Sequence, residues 1–295
     1  MDKKVTAIAK KYNKNGSNQT FEYEAGDWKI IAIDGVDAPT IELFKTARGI
    51  GDGDLLTGTR LHSRLITIKA SLTDTSSYVA QRKAITSFHD VRAKYRLEIT
   101  YLDRTVETDF CAIEAISYPT SNVYDNPDFV VGFFVPDPGF YSPDEKKLNF
   151  AETIGMWHVE RAYTESNPSL PFSYTKPINN TILNYLGTDA AGIRLEITLS
   201  EQSNSLVVKI NNAYYTILKR PTYPLNVGDR VIIDSFNKNI TYNGKSLSLS
   251  ELRKTPISKL ILEPGDNSLA VLKDINDSPL NASVELSYRE RFLSI

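Results

Sequence analysis

DFVVGFFVPDPGFYS, residues 128–142, begins as a strand and ends as a turn. Its first half is valine, phenylalanine and glycine, a composition suited to a buried strand. Then Pro136, Pro138 and Pro143 fall within eight residues. Proline gives no amide hydrogen to a sheet ladder, and a helix cannot run through it. Regular structure must stop here, and a domain boundary is expected near residues 142–150. The length of 295 residues fits two domains, drawn as 1–145 and 146–295.

Upstream, the pattern is mostly strand. "WKIIAIDGVDAP" places Trp28, Ile30 and Ala32 on one side before a turn at Asp34-Gly35. "RLITIKASL" alternates, with Ile66, Ile68, Ala70 and Leu72 facing one way and Thr67, Lys69 and Ser71 the other. One helix interrupts the strands. Gln81, Ala84, Ile85, Phe88 and Val91 fall at helical spacing. Thr75, Ser76 and Ser77 are its N-cap candidates. Arg82, Lys83, His89 and Asp90 fall on its exposed side, which predicts a surface histidine. Beyond it, two alternating runs meet around Asp103-Arg104 as a hairpin.

Downstream, nearly everything reads as strand. "GIRLEITL", "NSLVVKINNAYYTIL", "DRVIIDSFNKNITYNG", "SKLILEP" and "ASVELSYRERF" are short and alternating or apolar. Turn signals at Asn211-Asn212, Asn243-Gly244 and Pro264-Gly265-Asp266 separate them. A helical turn is expected in "SLSELRKT", capped by Ser248 or Ser250. Many short strands at close spacing predict a β-sandwich. The fold class is mainly β, with one α-helix in the first domain.

The totals exclude several functions. Lys and Arg number 34 against 36 Asp and Glu, so no basic face is available for nucleic acid. No apolar run approaches the ~18 residues of a membrane span. The N-terminus has no signal-peptide core, and the chain is read as soluble and made in a cytoplasm. Its one cysteine, Cys111, cannot form an internal disulfide and gives too few ligands for a cysteine zinc site. It sits in a strand-like run and is read as a small buried hydrophobe. His62, His89 and His158 stand in no obvious relation to it. The Asn-X-Ser/Thr matches at Asn18, Asn179, Asn239 and Asn281 are read as chance in an asparagine-rich chain.

The stretch "GIGDGDLLTG" at residues 49–58 invites a ligand. A P-loop needs lysine after its last glycine, but Thr59 and Arg60 follow Gly58. A dinucleotide loop needs G-x-G-x-x-G, which Gly49, Gly51 and Asp54 do not complete. Asp52 and Asp54 would repel a phosphate. A calcium loop counted from Asp52 needs an acidic twelfth residue and finds Ser63. The stretch is read as a flexible connection using glycine's freedom at positive φ. Glu22 with Glu24, and Glu196 with Glu201, are carboxylate pairs best explained as solvent faces of strands. Trp157 and Tyr214-Tyr215 are candidate sugar platforms, but tyrosine is also an ordinary strand residue. No nucleophile, base or metal set emerges, so no catalytic residue, metal site or cofactor is assigned.

The order of elements and the stretch "VGFFVPDPGFYS" resemble the distal tail protein (Dit) family of long-tailed siphovirus phages. Pro136 to Tyr141 is similar to that family's "PDPxFY" ending of the N-terminal domain, and "IDGVDAPTIELF" at 33–44 to its early segment. "LNVGDRVIIDSFNKNITYNGKSL" at 225–247, "LEPGDNSL" at 262–269 and "ASVELSYRERFLSI" at the end resemble later stretches. The segment 149–170 matches only loosely. The resemblance implies a structural, non-enzymatic tail-tip or baseplate hub protein. Residues 1–145 would be a ring-forming belt domain, and 146–295 a galectin-like β-sandwich. Six copies would form a ring joining the tail tube to the tail-associated hub protein and the receptor-binding baseplate proteins. DNA would pass through without specific binding, and no membrane partner is implied. The location implied is the virion tail tip, after assembly in the cytoplasm of a host, a Gram-positive one being favoured. Gly49, Gly51, Asp52, Gly53 and Asp54 would then be a ring-contact or mobile loop.

Two other readings compete. A carbohydrate-binding module would use the second domain for host-surface attachment. Galectins use His, Asn, Arg and Trp on adjacent strands, and here only Trp157 and His158 are available, both in the linker. A sandwich glycosidase would need a carboxylate pair about 5–10 Å apart in a cleft.

Overall fold

Strand alternation builds two units, each around its own core. The computed structural model describes residues 5–13, 18–74, 76, 78–118, 128–155, 173–177, 180–219, 225–247 and 256–295, and of 151–155 and 173–177 the backbone alone. The first unit is Met1–Pro143 with Arg291–Ile295, and the second is Asp144–Glu290. The last five residues thus pack with the first unit, although they directly follow the second unit in the chain.

In the first unit the strands are β1 Val5–Tyr12, β2 Asn18–Glu22, β3 Trp28–Asp34, β4 Ile41–Ala47, β5 Asp54–Leu61 and β6 Arg64–Leu72. Helix α1, Tyr78–Phe88, precedes β7 Lys94–Tyr101, β8 Arg104–Thr108, β9 Ala112–Ser117, β10 Asp128–Val135 and β11 Phe140–Tyr141. In the second unit follow β12 Lys146–Asn149, β13 Ala151–Gly155, β14 Ser173–Pro177, β15 Asn180–Tyr185, β16 Ala191–Leu199, β17 Ser205–Ile210 and β18 Ala213–Lys219. They continue with β19 Arg230–Asp234, β20 Asn239–Tyr242, β21 Lys245–Ser246, β22 Ile261–Leu262, β23 Gly265–Leu272 and β24 Ala282–Tyr288. The last strand, β25 Arg291–Phe292, belongs to the first unit.

The first unit has a six-stranded sheet, β2-β1-β7-β8-β11-β25, and a four-stranded sheet, β3-β6-β10-β9. Inward residues of both meet in one core, with Ile66, Ile68, Leu97, Ile99, Val131 and Phe133 among its buried members. The expected β6 alternation is observed, with all four inward residues fully buried. In β3 a bulge between Ile30 and Ala32 breaks the alternation. Ile33, rather than Ala32, then packs with Trp28 and Ile30 against the core. Helix α1 contributes Ile85 and Phe88 to that core. Lys11 of β1 reaches the Ser87 carbonyl at 3.5 Å, placing a cation at the helix C-terminus. Val91 lies beyond the helix and is exposed, because the chain leaves the helix after Phe88. Of the cap candidates, Thr75 and Ser77 lie outside the described residues. The Asp74 carboxylate accepts both the backbone and hydroxyl donors of Ser76. The β7–β8 hairpin turns at Leu102-Asp103, with Leu102 in the left-handed region.

The second unit is a sandwich. One sheet runs β12-β24-β16-β19-β20-β21 with β22 alongside β16, and the other β15-β23-β17-β18. Their inner faces share one cluster, Ile193, Leu195 and Ile197 from one sheet facing Leu206, Val208 and Val271 from the other. A separate hairpin pairs β13 with β14. The expected turn at 248–255, with Ser248 and Ser250, lies outside the described residues, as do Trp157, His158 and Asn179.

Candidate functional site

The stretch at residues 49–58 is not a connector throughout. Residues 54–58 form the start of β5, and the rest is the tip of a hairpin in which β4 pairs with β5 from Ile41↔Leu61 to Ala47↔Asp54. Hydrophobic and β-branched residues on both sides of a glycine cluster favour this hairpin. Gly51 (φ 99°) and Gly53 (φ 91°) take the left-handed conformations of the tip, and the Arg48 amide donates to the Gly53 carbonyl at 3.4 Å. Gly49, Gly51, Asp52, Gly53 and Asp54 are all exposed, and a side chain at any of these three glycines would meet open space. Neither β4 nor β5 pairs with any other strand among the described residues. Leucine, isoleucine and phenylalanine on both faces remain in water, Ile50 at the tip being 97% exposed.

The motifs that carried the family resemblance turn out to be polar staples. The Asp137 carboxylate accepts from the Gly139 amide at 3.0 Å, the Tyr141 hydroxyl at 2.5 Å and the Arg291 guanidinium at 2.7 Å. Burial alone would raise Asp137, but the hydrogen bonds from Tyr141 and Gly139 and the charge of Arg291 hold it below the usual carboxylate range. A Cβ at Gly139 would stand 2.2 Å from Arg291 Nε, so any larger residue there would have to displace the Arg291 side chain. Arg64 donates to the carbonyls of Gly35, Asp37 and Leu293 and stacks 4.2 Å over the Phe140 ring. Burial lowers its pKa to about 10. In the second unit Asp229 gathers the Asn226 amide, the Tyr242 hydroxyl and the Asn243 side chain. Asn267 is buried and bonds Glu263 on both backbone sides of its turn. Asp137, Asp229 and Asn267 thus each shape a turn.

The remaining candidates resolve similarly. Glu24 accepts the Ile30 amide and pairs with Lys29, and Glu22 is exposed at the end of β2. Glu196 pairs with Arg230, and Glu201 with Lys273 and the Asn281 amide. These contacts hold both carboxyls below their ordinary range. Cys111 is buried, and burial pushes its thiol up to about 12, which suits a packing residue. Tyr214 donates to Asp277 and lies under Lys209. Among the described residues no group of His, Cys, Asp and Glu could hold a metal ion, and no helix is long and apolar enough to cross a membrane.

His89 corrects the sequence reading. It is 5% exposed rather than on the surface. A carbonyl can only accept, so Nδ1–H donates to Ile85 O at 2.9 Å, and Nε2 accepts the Tyr23 hydroxyl at 2.7 Å. Burial among Phe21, Phe88 and Phe129 depresses its pKa to about 4, leaving a neutral core imidazole.

The chain is thus strand-rich and made of two units, and its described residues spend polar side chains on turns and leave an apolar hairpin in water. Comparisons with known proteins show what the chain is similar to. Residues 186–292 match the family model of the siphovirus-type tail component, C-terminal domain, which bears out the resemblance read from the sequence. The fold matches the crystal structure of the Dit protein of phage SPP1, described as a paradigm of the hub adsorption apparatus in phages infecting Gram-positive bacteria. That match has a TM-score of 0.62 and 11% identity, and covers 98% of this chain and 100% of the other. A chain from the phage P2 baseplate in its activated conformation with Ca also matches, at TM-score 0.46 and 11% identity over 99% of this chain and 100% of that one. No curated protein matches at the sequence level.

Proposed function

We propose that this chain is a structural hub protein of a phage tail tip. Six copies close into a ring through the first unit, and the second, a galectin-like sandwich, lies on the outside. The ring joins the tail tube to the tail-associated hub protein and the receptor-binding baseplate proteins. The protein is assembled in the host cytoplasm and ends at the tip of the virion tail. The observation that carries this reading is the match of residues 186–292 to the siphovirus-type tail component family. The SPP1 Dit fold, followed across 98% of the chain, supports it.

The physics is consistent. A ring of identical chains needs a head-to-tail contact between two different surfaces, and the first unit exposes a free hairpin and open sheet edges. The near balance of 34 basic and 36 acidic residues suits a passage through which DNA must slide without sticking. Glu24, Glu196 and Glu201, considered for catalysis, serve strand and turn contacts, and the protein acts through its surfaces. Gold-labelled antibody against the chain should mark one end of the tail on intact particles. Label on the capsid, along the tail shaft, or on no particle would refute the assignment.

A further inference from the structure

We infer that the β4–β5 hairpin of one copy lies across the outer face of the four-stranded sheet of the next copy. Ile41, Leu43 and Leu56 would sit on Leu65, Ala112 and Phe134. The inference rests on the ring reading above and adds which two surfaces meet.

The hairpin is built for a cover it does not have. Residues directly opposite in a ladder share a face. The pairs Ile41↔Leu61, Leu43↔Thr59 and Lys45↔Leu56 therefore put Ile41, Leu43, Leu56 and Leu61 on one face. A bulge between Phe44 and Lys45, closed by Thr57 Oγ1 donating to the Phe44 carbonyl at 3.0 Å, keeps that face apolar beyond the irregularity. A lone two-stranded hairpin is marginal in water. Its six large apolar residues from Ile41 to Leu56 are each 45 to 97% exposed. On the leucine face Ile41, Leu43 and Leu56 are 53, 47 and 56% exposed, and at ~150–200 Å² per large side chain they present on the order of 270 Å², about a third of the roughly 800 Å² one partner gives to a standard interface.

The complementary surface is on the same unit. On the four-stranded sheet, the register Leu65↔Phe134 and Phe134↔Ala112 places these three in one outward row. Leu65 and Phe134 are 45% and 39% exposed on a face whose next row holds Gly132 and Ala115. Gly132 leaves the row flat, since a Cβ there would press on the Leu65 side chain at 3.3 Å. A protruding apolar ribbon and a flat apolar patch fit each other but not themselves, which is the requirement for a head-to-tail ring. The charges agree. Lys45 lies on the hairpin's leucine face, and Asp34 borders the patch, being paired with Thr67 in the row beside Leu65. Neither has an ion-pair partner among the described residues.

Cysteine cross-linking tests this directly. Leu43→Cys and Phe134→Cys both change exposed positions, and native Cys111 is buried and does not compete. Under mild oxidation the double variant should give a ladder reaching six linked chains. An equal mixture of the two single variants should stop at pairs, and each single variant alone should give none. Pairs from Leu43→Cys alone would mean that hairpins pair with each other and would overturn the proposal. Oligomers by light scattering with no cross-link would leave the ring standing and refute this contact. A monomer with no cross-link at any concentration would refute both.

Discussion

At Asp137 three donors from three places in the sequence meet one carboxylate, which ties the PDPGFY turn to the returning C-terminal residues of the first unit. Charge-assisted hydrogen bonds of this kind contribute about 1.5–3 kcal/mol each, so Asp137→Asn should destabilise the first unit by about 2 kcal/mol in urea unfolding. Gly139→Ala should cost a similar amount by displacing Arg291, and a change below about 0.5 kcal/mol in both variants would contradict the staple. His89 makes a pH prediction. Its pKa falls from 6.5 when unfolded to about 4 when folded, so its neutral form stabilises the fold fully above pH 6.5. As pH drops towards 4, the unfolded state takes up a proton that the folded state refuses. Stability should fall by about 1.4 kcal/mol per pH unit across that window, and a His89→Gln variant should lose this slope. A wild-type slope no steeper than the variant's would contradict a neutral core imidazole. The sequence placed His89 on a helical wheel, where it fell outside. His89 stands four residues after the buried Ile85, and its amide still donates to the Ile85 carbonyl at 3.0 Å, so it follows the helix's inward face, where Phe21 of β2, Tyr23 just after it and Phe129 of β10 enclose it.

Among the elements, those with strict alternation were legible. β6, β16 and the Asn243-Gly244 turn follow from residue type and spacing, because one buried face fixes register. The β3 bulge and the hairpin at residues 41–61 were not legible, since both depend on what a strand pairs with. Across β7 and β8, Glu98 stands directly opposite Glu107, a repulsive arrangement bridged by Lys10 at 2.6 and 3.1 Å. Lys10→Met should therefore cost about 1–2 kcal/mol in urea unfolding at pH 7, with the deficit shrinking at high salt as the repulsion is screened. A deficit independent of salt would assign the loss to packing. The β4–β5 hairpin pairs only with itself among the described residues. Replacing residues 42–60 by two glycines should leave the unfolding midpoint nearly unchanged while abolishing self-association. Loss of the fold, or retained self-association, would show that the hairpin has a different task.

For the whole molecule, the break at Pro136, Pro138 and Pro143 marked where the first run of strands ends. The return of Arg291–Ile295 to the first unit could not be read locally. It is set by Arg291 reaching Asp137 and by Arg64 reaching the Leu293 carbonyl, contacts spanning most of the chain. The surfaces proposed for assembly were hidden for a related reason, because exposure of leucine on a paired hairpin is visible only once its partners are known. The proposed ring would be a property of several copies, and its mass is the direct test. Light scattering after size exclusion, with negative-stain microscopy, should find particles of about 200 kDa, six chains of 33.1 kDa each, with a central hole. A species of 33.1 kDa at every concentration, with no rings in the micrographs, would contradict the account.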